Sequence, residues 1–137
     1  MKLPILFSLL LLSGFTVAQD PVYTFDSAIA KVPENAFTNN ARQYPKNGDF
    51  IIQGYYPMST VKGQRAALVT IKNTSTGKRF FEPEHVMALF ADGSRHSPLM
   101  GDDKYSLQAS ETFTLTLEFG RYDYPIVSVY TSNNKKE

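Results

Sequence analysis

The stretch Thr112-Phe113-Thr114-Leu115-Thr116-Leu117-Glu118-Phe119 decides the fold class. Phe113, Leu115, Leu117 and Phe119 alternate with Thr112, Thr114, Thr116 and Glu118. Side chains on a strand point to opposite faces with a period of two, so this pattern predicts a strand with one apolar and one wet face, as in an antiparallel sheet. A helical period would scatter the same aromatics around the whole circumference.

Working outward, Ala66-Ala67-Leu68-Val69-Thr70-Ile71-Lys72, within the segment Arg65 to Asn73, is a nearly continuous apolar run. It suits a central strand covered on both faces. The turn-rich cluster Asn73-Thr74-Ser75-Thr76-Gly77 ends it. Strands are then expected from Arg79 to Glu82 and from His85 to Ala91, separated by Pro83, which has no N–H to give to a ladder. Asp92-Gly93 reads as a two-residue hairpin turn with positive φ at both positions, and Ser94 to Leu99 as the returning strand. Val22 to Ile29, Phe50 to Tyr56 and Pro125 to Thr131 are further β-rich runs. Pro33 to Gly48, rich in Asn and Pro, reads as a long loop or crossover, and Asn133 to Glu137 as a polar tail. No helical stripe of useful length and no internal repeat occur. Seven or eight short strands with turn chemistry between them predict an all-β, antiparallel β-sandwich.

At the N-terminus a single charge, Lys2, precedes an apolar run from Leu3 to Leu12 and the small-residue stretch Ser13 to Ala18. That is the order of a secretory signal, and the run is too short to span a bilayer. Residues 1–18 are therefore expected to be a signal peptide cleaved after Ala18, and residues 19–137 a single domain exported to a periplasmic or extracellular setting, without a transmembrane segment. Of the 14 Lys and Arg only Lys2 lies in the leader, so 13 basic residues face 13 acidic ones in the mature chain. That balance argues against nucleic acid as a partner, since phosphate neutralisation needs a basic surplus on one face. The chain has no Cys, so the domain must hold together by packing, for which 10 Phe and 8 Tyr offer large apolar area. The absence of Cys in an exported chain leans towards a bacterial envelope.

Three segments carry a resemblance: Ala67 to Ser75, Leu89 to Ser94, and Leu107 to Thr114. They resemble bacterial secreted immunoglobulin-like domains, in which one strand ends at an Asn-Thr turn, a later one at Asp-Gly, and a short Gly-Glu-type turn launches a Thr-rich strand. Ser110 stands where Gly is commoner, and the Cys pair and core Trp of antibody domains are absent. The resemblance implies an immunoglobulin-like sandwich and no activity.

No catalytic constellation is expected. Ser94, His96 and Asp92 supply the residue types of a triad, but a triad places the His between the other two, which one hairpin does not readily allow. Glu82 with Glu84, and Asp102 with Asp103, give no facing carboxylates across a cleft. Calcium loops and phosphate-binding glycine loops are missing, and no cofactor is implied. Asn73-Thr74-Ser75 matches a glycosylation acceptor and equally a turn. His85 and Met87, two apart on an expected strand, with Met100 from a neighbour, form the alternative: a copper-handling set, since thioethers hold Cu(I) and imidazole holds Cu(II). The leading expectation is binding. Tyrosines cluster at expected strand ends, with Tyr55 and Tyr56 before Pro57, and Tyr122 and Tyr124 before Pro125. Tyr gives a large rigid contact surface at low entropic cost, so these four point to recognition of a protein or a glycan.

Overall fold

The computed structural model describes residues 20–27, 36–101 and 103–134. The expected signal peptide, Gln19, the end of the Val22 to Ile29 run, residues 33–35 of the expected loop, Asp102 and the last three residues of the tail lie outside that set. The described chain is all-β with antiparallel sheets. Its strands are β1 (Thr24–Phe25), β2 (Phe50–Ser59), β3 (Gln64–Asn73), β4 (Arg79–Phe81), β5 (Val86–Phe90), β6 (Arg95–His96), β7 (Tyr105–Leu107), β8 (Thr112–Arg121) and β9 (Ile126–Thr131). They form a four-stranded sheet in the order β1-β2-β3-β8, a three-stranded sheet β6-β5-β9, and the pair β4-β7. Among the described residues no helix is long and apolar enough to cross a membrane.

The alternation in β8 appears as expected. Leu117 and Phe119 are buried, Phe113 and Leu115 pack against the same core, and Thr112, Thr114, Thr116 and Glu118 are exposed. Strand β3 is central in its sheet, between β2 and β8. Ala67, Val69 and Ile71 face the core, whereas Leu68, Thr70 and Lys72 are half-buried, so its second face is less covered than its continuous apolar run implies. One cluster holds the molecule together: Phe50 and Ile52 from β2, the inward residues of β3 and β8, Phe81, Leu107, and Val86, Ala88, Phe90, Ile126 and Val129 from β5 and β9. All three sheets therefore contribute to a single core.

Three expectations are corrected, and one strand is added. The β5–β6 turn closes over three residues, Ala91, Asp92 and Gly93: the Phe90 N–H donates to the Ser94 carbonyl and the Gly93 N–H to the Phe90 carbonyl, both at 2.9 Å. Only Gly93 has positive φ, so the turn is followed by a single left-handed residue instead of placing two there. His85 is not on a strand. It closes a 3-10 turn, Pro83–His85, because Pro83 fits the start of such a turn and cannot continue β4. The expected returning strand Ser94 to Leu99 pairs only at Arg95 and His96. Finally, Tyr105–Leu107 forms β7 against β4, a strand too short and too irregular in pattern to read from the sequence.

Two bulges shape the long sheet. In β2 the register shifts between Ile52 and Gly54, leaving Gln53 as an extra residue. Beyond it the faces exchange, so that Tyr55 packs against the core and Tyr56 points outward. A second shift, where Arg65 and Ala66 oppose Gly120 and Glu118, coincides with Gly120 at φ +102°. Strand β9 is stitched to β2 by side chains: Thr131 Oγ1 donates to the Phe50 carbonyl at 2.7 Å, and Asn134 accepts from the Ile52 N–H and donates to the Ile52 carbonyl.

Candidate functional site

Three connections meet at one end of the molecule: the β2–β3 and β5–β6 hairpins and the β8–β9 crossing between two sheets. The Tyr122 N–H donates to the Gly63 carbonyl at 3.1 Å, which joins the β8–β9 connection to the β2–β3 connection. The Ala91 N–H donates to the Pro125 carbonyl at 2.9 Å, which joins the β5–β6 connection to the same turn. Arg65, on β3, fixes the arrangement: its Nε donates to the Tyr122 carbonyl, one terminal nitrogen to the Asp123 carbonyl and the other to Ser59 Oγ, which itself donates to Asp26. A guanidinium has five donors in a rigid fork, so a single Arg can hold two successive carbonyls and a hydroxyl at once.

What this end presents is a shallow cleft of roughly 300 Å³, lined by Phe90, Asp92, Arg121, Tyr122, Asp123 and Tyr124. Tyr124 is 51% exposed beside it, and Val61, at the tip of the β2–β3 connection, is fully exposed. Asp92 accepts from both the hydroxyl and the backbone N–H of Ser94, and the hydroxyl bond above all holds its carboxyl below the usual range. The rim is thus mixed in charge, with Asp92 and Asp123 against Arg121.

The four expected binding tyrosines do not form one surface. Tyr55 faces inward, and its hydroxyl donates to the Val127 carbonyl at 3.3 Å, so it ties β2 to β9. Tyr56, on the opposite face of the same strand, is 65% exposed and meets the edge of Phe25 with ring centres 6.2 Å apart. Tyr122 is half-buried, stacked on His96 and tilted against Phe90, with ring centres 4.5 Å away in both cases. Only Tyr124 of the second pair stands in solvent beside the cleft. The exposed end therefore rests on Tyr122 and offers Tyr124.

The alternative metal set lies in three surroundings. His85 is buried against Phe50 and Phe81, and its Nδ1 accepts the Glu82 N–H at 2.9 Å. Burial first, and then Lys46, lower its pKa from the ordinary histidine value. Met87 lies on β5 opposite Tyr130, and Met100 lines a cleft beside β8. Among the described residues no group of three or more His, Cys, Asp or Glu gathers in metal-binding geometry. The Ser94 hydroxyl meets Asp92 directly at 2.6 Å while His96 lies against Tyr122, so the imidazole does not sit between nucleophile and acid. Glu82 is bridged by Lys46 and Lys104 at 3.0 and 3.2 Å, an exposed clamp between the long loop and the segment before β7.

The exposure of Val61 and the convergence of the three connections gave no signal in the sequence, because they depend on Arg65 reaching carbonyls 57 and 58 residues away. No family model matches the chain, and neither a curated protein nor a solved structure is significantly similar to it.

Proposed function

We propose that this chain is an exported binding domain with an immunoglobulin-like sandwich architecture, which engages a protein or glycan in the bacterial envelope or outside the cell through the end formed by Val61, Asp92, Asp123 and Tyr124. The sandwich reading is supported by the shared core, to which β2, β3 and β8 contribute from one sheet and β5 and β9 from the other. The observation that carries the binding reading is the convergence of two hairpin connections and one sheet-to-sheet crossing, tied together by Arg65 and Tyr122, around a cleft beside exposed Tyr124. Loops fixed on a rigid scaffold lose little entropy on binding, and an exposed Tyr on such a loop is a frequent energetic hot spot. The export reading rests on the leader-like order of residues 1–18.

Affinity capture from envelope extracts and on a glycan array, with the wild type and with Tyr124→Ala and Val61→Asp, tests this reading. A specific partner should be retained by the wild type and lost at least tenfold by either variant, with thermal melts unchanged within a few degrees. Retention of that partner by both variants would move the binding surface elsewhere.

A further inference from the structure

Strand β8 is the edge of the four-stranded sheet on the side away from β1, and the hydrogen-bonding parity along it shows which groups are free. The Asn73 N–H donates to the Glu111 carbonyl, and the register pairs Ile71 with Phe113, Val69 with Leu115 and Ala67 with Leu117. In an antiparallel ladder every second residue bonds to the neighbour and the ones between point away, so Phe113, Leu115 and Leu117 face β3. Thr112, Thr114, Thr116 and Glu118 therefore direct their N–H and C=O groups outward. The Glu118 carbonyl does so and is taken by the Leu99 N–H at 2.7 Å. For the three threonines no backbone partner on that side occurs among the described residues.

Long open edges in folded proteins are normally blunted by Lys, Pro, a bulge or shortness. From Thr112 to Leu117 there is no charge, no Pro and no Gly, and the Gly120 bulge falls beyond that stretch. The other sheet edges among the described residues are short or covered: β1 and β6 have two residues each, β4 and β7 three each, and β9 is capped by Tyr55 and Asn134. Beside the open stretch of β8 runs a cleft of roughly 290 Å³. Leu99, Met100, Tyr105 and Leu117 line it together with Thr116, Asp103 and Glu118, no cation is among its lining residues, and the Glu118 carboxylate also holds a hydrogen bond with Tyr23. The nearby Lys104 is turned to Glu82 at 3.2 Å.

We propose that the β8 edge is a second interaction site, which takes an extended segment of a partner protein as an added strand. The segment carries apolar residues at alternate positions and Lys or Arg between them. Its backbone completes the ladder with Thr112, Thr114 and Thr116, one apolar side chain enters the cleft between Leu99 and Tyr105, and its cations meet Asp103 and Glu118. Main-chain bonding supplies the affinity in this mode and the pocket and charges supply the choice of sequence. Its cleft shares no lining residue with the cleft beside Tyr124.

The probe is a blocked six-residue peptide of alternating Val and Lys, followed by NMR with the isotope-labelled full domain. Its saturating addition should slow hydrogen exchange at the Thr112, Thr114 and Thr116 amides at least tenfold. An analogue N-methylated on the ladder-forming amides, and a Val–Glu analogue, should each bind at least tenfold more weakly. Thr116→Pro removes one outward N–H without touching the β3 ladder, so it should weaken the Val–Lys peptide to the same degree, while Tyr124→Ala should leave it unchanged. Absence of binding at millimolar peptide, or equal binding of the N-methylated or acidic analogue to the wild-type domain, overturns the proposal, and neither result depends on whether Thr116→Pro folds. A concentration-dependent dimer seen by sedimentation and abolished by Thr116→Pro would assign the edge to a second copy of the chain and overturn it as well.

Discussion

Asn73 and His85 are polar groups within the core, and each is there because its hydrogen bonds are met. Asn73 is fully buried: its amide donates to the carbonyls of Gly77, Leu107 and Gln108 and its oxygen accepts the Ser75 N–H, so one side chain closes the β3–β4 turn and binds it to β7. The sequence marks Asn73 as a turn residue, and the turn is there, but its burial comes from β7 closing over it. His85 is neutral by the same reasoning, since Nδ1 accepts from Glu82 and protonation would set a hydrogen against that N–H. A histidine whose folded pKa is lowered binds its proton more readily when unfolded, so its contribution to stability is full above the unfolded value of about 6.5 and is lost as pH falls below it. The melting temperature should accordingly fall between about pH 7 and pH 5, and His85→Asn should flatten that slope. Melts across this range on both proteins check it; an unchanged slope in the variant would assign the pH response to other groups.

At the scale of single elements, β8 and β2 behave differently although both are ten-residue strands. The alternation in β8 carries through, so its two faces should respond in opposite ways to substitution. Leu117 is 1% exposed, and Leu117→Ala should cost about 2–5 kcal/mol of stability. Thr112→Val on the outer face should stay within about 0.5 kcal/mol. Urea unfolding of the two variants makes the comparison, and a small effect at Leu117 would mean that the core can collapse around the lost volume. In β2 the same period-two logic would have sent Phe50, Ile52, Gly54 and Tyr56 to one side. The Gln53 bulge reverses the second half, and a bulge of one polar residue in a strand leaves no mark in the apolar pattern.

The molecule as a whole is closed by contacts between residues far apart in sequence. Arg65 and Tyr122 hold the end where three connections meet, and Thr131 with Asn134 binds the last strand to β2. Tyr122 and Tyr124 are therefore expected to separate cleanly on mutation. Tyr122→Ala removes a ring packed on Phe90 and His96 and should lower stability by about 2–4 kcal/mol, whereas Tyr124→Ala should leave the melt unchanged. Thermal melts of the two single variants decide this, and equal effects would mean that Tyr124 is packed as well.

How much of this was legible in the sequence follows from the range of the interactions. The all-β class, the strands β2, β3, β5, β8 and β9, and the inward face of β8 are set by local alternation, β-branched and aromatic content, and turn residues between the runs. Those signals act within a few residues, so the amino-acid sequence determines them by itself. Of the candidate site, the sequence singled out the tyrosines but not their directions. Whether Tyr55 faces in and Tyr56 out, whether Tyr122 is packed and Tyr124 free, and which edge of the sheet stays open were decided only in the tertiary structure. Each of those outcomes depends on a bulge, a strand order or an Arg–carbonyl contact that joins segments with no local relation.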